Sequence, residues 1–161
     1  MQTMMVKSGN RYRKATVAEV SEVAGFFARQ AMNKAKPQLV SPRNAITYLQ
    51  AIYQGLDYET FSVLFINKRY QLIECVEMFR GTIDGAAVHP REVVKEALWR
   101  GAAAVVLAHN HPSGIAEPSQ ADILITIRLK EAMALIDVKV IDHLIIGSAG
   151  SYCSLAERGD I

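Results

Sequence analysis

A run of six apolar residues at 103–108 restricts the fold of this chain more than any other feature. The run is continuous rather than alternating, which is typical of a short strand buried on both faces of a sheet. A strand of this kind needs helices packed on the faces of its sheet, so the run predicts an α/β fold. It leads directly into His109, Asn110 and His111, so polar side chains follow the point where the buried strand ends.

Other patterns along the chain predict the elements that surround this strand. Apolar positions at helical spacing, together with capping residues, predict helices from 17 into the early thirties, from Ser41-Pro42 to Gly55, from 90 to 101, and from 119 onward. β-rich runs predict a hairpin at 61–66 and 70–79, a long strand at 138–146 and a short edge segment at 152–155. The first helix is expected to turn Phe26 and Phe27 towards the core. Together these elements predict a mixed β-sheet flanked by helices.

The size and charge of the chain limit the number of its domains and the kinds of partner it can bind. With 161 residues it fits one compact domain, which we place at 16–161, after a basic N-terminal arm at 1–15. The net charge is only +2, from 18 basic and 16 acidic residues, so nucleic-acid binding is weakly supported and membrane binding is not expected. With neither a secretory leader nor an apolar run long enough to cross a bilayer, the expected compartment is the cytoplasm.

The two histidines after the buried strand form a candidate metal site. Side chains two apart in an extended segment point to the same face, so His109 and His111 can converge on one ion while Asn110 points away. Asp122 is the candidate third ligand. Two imidazoles and a carboxylate suit Zn²⁺, and three protein ligands leave a fourth position for water, which is typical of a catalytic zinc site.

Each of these residues also has a structural interpretation. Ser119 and Asp122 are close to a capping box, in which the serine binds a backbone N–H and the aspartate favours the helix dipole. A single histidine after a buried strand is more often a hydrogen-bonded core residue than a ligand. We favour the metal interpretation because the structural one must explain two histidines and a carboxylate separately. His143 is interpreted as structural, with a place behind the ligands as the alternative.

A catalytic metal of this kind needs a base that deprotonates or orients water. The glutamates available for this role are Glu59, Glu74, Glu77 and Glu92. Glu74 is expected to point to the strand face opposite Glu77, and Glu92 to be a charge in the first turn of a helix. The residue patterns by themselves leave the choice open.

The spacing of the polar residues resembles a known family. His109-x-His111-Pro112, six residues and then Ser119-x-x-Asp122 is similar to the motif of JAMM (MPN+) zinc isopeptidases and proteases. The string Ala-His-Asn-His-Pro-Ser-Gly resembles the RadC branch, as do Gly81-Thr82, the segment 89–92 and Asp142-His143. The similarity covers about 41–155, with an extra N-terminal helix, and it implies the JAMM/MPN architecture, which is related in outline to cytidine deaminases. Longer RadC proteins carry a helix-hairpin-helix region, which we do not expect in a chain of this length.

The resemblance implies an activity and roles for individual residues. It implies a zinc-dependent hydrolase of peptide or isopeptide bonds, with an unidentified protein or peptide as substrate. In JAMM domains the water-activating glutamate directly precedes the first strand of a hairpin, a place that Glu59 occupies; Glu77 is the alternative. The serine that matches Ser119 helps to stabilise the oxyanion of the tetrahedral intermediate.

Three other functions are alternatives to hydrolysis. One is a DNA-repair or mobile-element accessory module whose metal is structural or vestigial, which the complete motif argues against. A zinc deaminase requires H-x-E and a downstream P-C-x-x-C, whereas here His111 stands in place of the glutamate and the cysteine pair is missing. A two-metal nuclease would need a second ligand cluster, which the sequence does not offer.

Overall fold

A five-stranded mixed sheet with helices on both faces forms the body of the protein. The computed structural model describes residues 4–9, 11–35, 42–81 and 88–161. Along the chain the elements are β1 (Met5–Ser8), β2 (Arg11–Lys14), α1 (Val17–Ala35), α2 (Pro42–Tyr53), β3 (Thr60–Ile66), β4 (Leu72–Arg80), α3 (Pro90–Arg100), β5 (Ala104–Asn110), α4 (Gln120–Ala134), β6 (Lys139–Ile146), β7 (Tyr152–Ser154) and α5 (Leu155–Arg158).

The strand that was predicted from the apolar run lies at the centre of the sheet. The strand order is β4-β3-β5-β6-β7, so β5 has two neighbours on either side. It pairs antiparallel with β3 and parallel with β6, and the outer pairs β3–β4 and β6–β7 are antiparallel. The prediction of an α/β fold with a mixed sheet flanked by helices is therefore confirmed.

Side chains alternate along β5 and its neighbours between two buried clusters. One face packs on α2 and includes Leu64, Val106 and Leu144. The opposite face packs on α3 and α4 and includes Phe65, Leu107 and Leu129. Because β5 is covered on both sides, its seven residues are all buried, which explains why its sequence does not alternate.

Local chemistry determines where the hairpin turns. Between β3 and β4, Asn67 Oδ1 accepts hydrogen bonds from the backbone N–H groups of Arg69 and Gln71, at 2.9 and 3.0 Å. This Asx-type turn joins the two strands at the end of the sheet opposite to the histidines. The predicted hairpin is thus present, with the polar linker between its strands.

The N-terminal region contains a small sheet of its own. The residues of the predicted basic arm include β1 and β2, which pair as a two-stranded antiparallel sheet with mostly exposed side chains. Arg13 joins this hairpin to α1 through an ion pair with Glu19, whose side chain also completes a capping box with Thr16. Strand formation in this arm was not predicted; the division into arm and domain stays a prediction.

The prediction that Phe26 and Phe27 face the core is wrong. Their side chains are 54% and 61% exposed. Helix α1 approaches α2 through Gly25, where an added Cβ would lie 3.4 Å from the Cα of Ile52. This close approach turns the neighbouring phenylalanines away from the helix pair.

Some predictions fall outside the described residues. Ser41, the predicted N-cap, and Thr82, from the Gly81-Thr82 pair of the family resemblance, belong to segments that the structure does not describe. Among the residues that it describes, every helix is too short or too polar to cross a lipid bilayer.

Candidate metal centre

The two histidines lie at the end of β5 and differ in how deeply they are buried. His109 is still part of the strand and is fully buried, with its ring 6.4 Å from that of Phe61. His111 comes directly after the strand, and its backbone N–H extends the pairing with β6 by donating to the Ile146 oxygen at 2.9 Å. Its side chain is 18% exposed. One ligand candidate is thus held inside the core while the other meets solvent.

The structure brings the two histidines and Asp122 to one point. The Nε2 atoms of His109 and His111 lie 2.9 Å apart, and Asp122 places Oδ1 3.2 Å from the first and Oδ2 3.7 Å from the second. Ligand atoms around a tetrahedral zinc with bonds of about 2.0–2.1 Å lie about 3.3 Å apart. The spacing and the chemistry of the three groups therefore fit a metal ion such as zinc.

Asp122 reaches this point from the first turn of α4. Ser119 is the N-cap of that helix, and the capping box is present: Ser119 Oγ accepts from the Asp122 N–H, and Asp122 Oδ2 accepts from the Ser119 N–H at 2.7 Å. The Ser119 hydroxyl also donates to Oδ2, at 2.8 Å. The capping and ligand interpretations are therefore compatible, since Oδ2 belongs largely to the cap and Oδ1 faces His109.

The ring of His111 is oriented by the loop that follows it. Its Nδ1 lies 2.8 Å from the backbone oxygen of Ile115, so Nδ1 carries a proton and Nε2 is left to face His109. The loop turns at Gly114, which has a positive φ of 88° and packs against Ser148, where an added Cβ would lie 2.4 Å from Oγ. Glycine is therefore required at this turn.

The electrostatics of the site favour an ionised carboxylate. Burial by itself raises the pKa of Asp122, but hydrogen bonds from His109 and His111 outweigh it and hold that pKa well below its usual range. The hydrogen bond to Asp122 in turn raises the pKa of His111, against the opposing effect of burial. The imidazoles thus compensate the buried charge of Asp122, a role that a bound cation would take over.

Glu59 lies beside the histidine pair. Glu59, His109 and His111 each offer a ligand atom within 4.8 Å of the others. The other candidate glutamates pair with arginines: Glu74 with Arg100, Glu77 with Arg80, and Glu92 with Arg91. The structure therefore brings Glu59 to the site and engages the alternatives elsewhere.

Asn110 holds the backbone on both sides of Glu59. Its side chain points to the opposite face of β5 from His109, where Oδ1 accepts from the Thr60 N–H at 2.8 Å and Nδ2 donates to the Tyr58 oxygen at 2.9 Å. The residue between the two histidines thus fixes the segment that carries the candidate base. The sequence predicted that Asn110 points away, but not this contact, which depends on the register between β3 and β5.

Two further residues lie behind His109. His143 Nε2 is 2.8 Å from His109 Nδ1, and Thr126 Oγ1 is 2.6 Å from His143 Nδ1. Burial, assisted by the neighbouring His109, lowers the pKa of His143 well below its usual value, so this ring is neutral near pH 7. Thr126 was not singled out from the sequence, although it lies one helical turn after Asp122 on the same face of α4.

Asp142, the neighbour of His143 in the sequence, has a different role. Asp142 points to the other side of β6 and accepts from the backbone N–H groups of His143 and Ala156 and from the Ser154 hydroxyl. It thereby joins β6 to α5 and takes no part in the metal site. The Asp-His pair of the motif thus divides into a structural carboxylate and an imidazole that contacts a candidate ligand.

A cavity of about 490 Å³ lies beside His111. Its walls come from the end of α2, from Asn110 to Pro112, and from the loop at 146–150. Among the described residues that line it there is no Asp, Glu, Lys or Arg. The cavity can therefore take an uncharged group next to the site.

Asn110→Ala is expected to lower the free energy of unfolding by about 1–3 kcal/mol, because it leaves the Thr60 N–H and the Tyr58 oxygen without their partner. Urea unfolding measures this effect. Zinc binding should persist, while any hydrolysis that depends on Glu59 should fall. Asn67→Ala is the matched control, since it removes a similar pair of backbone contacts far from the site and should change stability alone. Equal hydrolysis by the two variants would contradict a role for Asn110 in holding Glu59.

A comparison with protein families finds one match that covers most of the chain. Residues 39–160 match the family model described as the RadC-like JAB domain. The matched region contains the sheet, the histidine pair, Glu59 and Asp122.

Individual relatives carry names without an assigned activity. A UPF0758 protein of Marinobacter nauticus is 48% identical over 158 residues, which are 98% of this chain and 70% of the relative. A UPF0758 protein of Nitrosococcus oceani is 56% identical over 121 residues, 75% of this chain and 54% of that protein. One of Vibrio cholerae is 54% identical over 116 residues, 72% of each chain. The chain thus spans between about half and three quarters of these relatives.

Proposed function

Because the chain belongs to the family of RadC-like JAB-domain proteins, we propose that it is a zinc-dependent hydrolase of peptide or isopeptide bonds. The observation that carries the proposal is the convergence of two imidazole nitrogens, a carboxylate and a further glutamate at the end of the central strand. A structural zinc site closes the coordination shell with four protein ligands, whereas three ligands and a nearby glutamate are typical of a catalytic one.

The metal would be held by His109, His111 and Asp122. The Nε2 atoms of the histidines already face each other, and Oδ1 of Asp122 faces the first of them. Bound zinc supplies Lewis-acid chemistry, which makes water a stronger acid and polarises a carbonyl group. These three residues therefore determine where hydrolysis takes place.

Glu59 would act as general base and then as general acid. It takes a proton from the attacking water and returns it to the amine that leaves when the amide bond breaks. Asn110 supports this role, since it holds the backbone at residues 58 and 60 and so limits the movement of Glu59.

Ser119 would stabilise the oxyanion of the tetrahedral intermediate. Its hydroxyl donates to Asp122 Oδ2, so it must rotate away from the carboxylate in order to donate to the substrate. The Ser119 N–H, which donates to the same oxygen, keeps Asp122 in place during that rotation. The uncharged cavity beside His111 is suited to hold a neutral substrate side chain near the scissile bond.

His109→Ala and Asp122→Ala are expected to abolish stoichiometric zinc binding, because each removes one of three ligands. Zinc content after metal loading and desalting, measured by atomic emission, tests this for each purified variant. His89→Ala serves as the control, since His89 occupies the N-cap position of α3, makes no side-chain cap hydrogen bond there, and should leave one zinc per chain when replaced. Full zinc in both site variants would overturn the proposed ligand set.

The same protein distinguishes hydrolysis from a binding role. The zinc-loaded chain, incubated with a peptide library, is expected to cleave a subset of peptides, and the metal-free chain to cleave none. Salt-dependent binding to DNA, together with an intact library, would instead favour an accessory module with a structural metal.

A further inference from the structure

A continuous series of buried hydrogen bonds lies behind His109. His109 Nδ1 is 2.8 Å from His143 Nε2, and His143 Nδ1 is 2.6 Å from Thr126 Oγ1. The Thr126 hydroxyl is 2.5 Å from the backbone oxygen of Asp122, on the same helix. All four residues are buried. The series therefore runs from one candidate ligand to the backbone of another.

The directions of these hydrogen bonds follow from where protons can be. A backbone oxygen only accepts, so the single hydroxyl proton of Thr126 is donated to Asp122. Thr126 Oγ1 must then accept from His143, which places the proton of that ring on Nδ1. A neutral ring protonated on Nδ1 accepts through Nε2, so His109 donates from its own Nδ1.

We propose that Thr126 and His143 are positioning residues that keep His109 in the tautomer able to bind a metal through Nε2. The inference rests on the proposed metal site but not on peptide hydrolysis. In this tautomer the proton of His109 lies on the nitrogen that faces His143. The nitrogen that faces His111 and Asp122 keeps its lone pair, as metal coordination requires.

The two candidate histidine ligands adopt the same tautomer, but different contacts determine it. His111 donates from Nδ1 to a backbone oxygen, which only accepts and so determines the tautomer directly. His109 faces another imidazole, which can either donate or accept. A second contact is therefore needed to decide the direction, and Thr126 supplies it.

The opposite tautomer is disfavoured by burial. With its proton on Nε2, His143 would turn the lone pair of Nδ1 towards Thr126 Oγ1, whose proton already points to Asp122. A buried hydrogen bond would be lost, at a cost that solvent cannot offset in a fully buried ring. His109 would then have to accept at Nδ1 and carry its proton on Nε2, where it blocks the metal.

Imidazole ¹⁵N NMR measures the tautomers directly, in mildly alkaline buffer. His143 is expected to carry its proton on Nδ1 in metal-free and in zinc-loaded protein. His109 is expected to be protonated on Nδ1 in both states and to have no proton on Nε2 once zinc is bound. A spectrum with His143 protonated on Nε2 in the metal-free protein would overturn the inference. Because this measurement needs neither metal nor substrate, it separates a failure of the inference from a failure of the proposed function.

Thr126→Val and Thr126→Ser test the same inference through metal affinity. The valine has the shape of threonine without the hydroxyl, and we expect its zinc dissociation constant to rise about 10- to 100-fold. The serine restores the hydroxyl and should bind zinc within about threefold of the parent protein. Equal affinity of both variants for zinc, with unchanged ¹⁵N spectra, would contradict the proposed role of Thr126.

Discussion

Glu59→Gln is expected to retain one zinc per chain and to lose about 10²- to 10⁴-fold in the rate of peptide cleavage. The amide keeps the size of the carboxylate but cannot take a proton from water, and general base catalysis contributes about this much to a rate. The rate of cleavage in a peptide library is measured beside the zinc content of the same sample. The pair of measurements separates a lost base from a lost metal.

Glu77→Gln is the matched control for this experiment. Glu77 lies on β4 in an ion pair with Arg80, so its replacement should leave both zinc content and cleavage close to those of the parent protein. An unchanged rate in Glu59→Gln with a reduced rate in Glu77→Gln would move the base to β4. Loss of zinc from Glu59→Gln would instead place Glu59 among the ligands, in agreement with its distance from the histidine pair.

Phe61→Ala is expected to lower the free energy of unfolding by about 3–5 kcal/mol and also to weaken zinc binding. Phe61 is 2% exposed, so its removal leaves a cavity in the core. Its ring also lies 6.4 Å from that of His109 and 5.5 Å from that of His143. Without this wall both imidazoles gain room to move, and the cost of fixing them on a metal rises. Urea unfolding of the metal-free protein and a zinc titration measure the two effects.

Phe65→Ala separates stability from metal binding. Phe65 lies on the same strand and the same sheet face as Phe61 and is fully buried. It is paired with Val105 in the sheet and lies under the guanidinium of Arg100, rather than against a histidine. We expect a similar loss of stability with unchanged zinc affinity. If Phe61→Ala unfolds, Phe61→Leu keeps most of the volume and still removes the flat ring. Equal zinc affinity in all Phe61 and Phe65 variants would mean that the aromatic wall does not order the ligands.

The fold was predictable from the sequence because burial leaves a strong pattern in this chain. The apolar run at 103–108 identified the central strand, and the caps at Ser119 and Gly101 identified the neighbouring helix ends. The strand extends to Asn110, two residues beyond the run, because its backbone continues to pair with β3 and β6 although its side chains become polar. A hydrophobic pattern does not reveal backbone pairing of this kind.

The N-terminal part was less predictable for a different reason. Apolar spacing on α1 indicated a buried face, yet the close approach of Gly25 to Ile52 determines which side of the helix meets α2. A glycine contact leaves no hydrophobic signal, so Phe26 and Phe27 were assigned to the wrong side. The short strands β1 and β2 are mostly polar and exposed, and therefore carry almost no pattern.

The residues of the candidate site also differ in how far the sequence predicts them. His109, His111 and Asp122 were identified from spacing alone because they are close in the sequence. Glu59 came only from the family resemblance, since it lies fifty residues earlier and needs the β3–β5 pairing to reach the histidines. His143 is brought to the site by the parallel register of β5 with β6, which places it opposite Leu107. Long-range register is a property of the fold, and no local motif specifies it.

The alternation of side chains at the end of β5 has a consequence for how this protein can vary. His109 turns to one face of the sheet and Asn110 to the other, so the strand serves the metal on one side and the Glu59 segment on the other. Deletion or insertion of one residue within β5 would exchange the two faces for every side chain beyond it. Ligands and base would be misplaced together, in one step. The length of the strand is therefore held constant by both halves of the site at once.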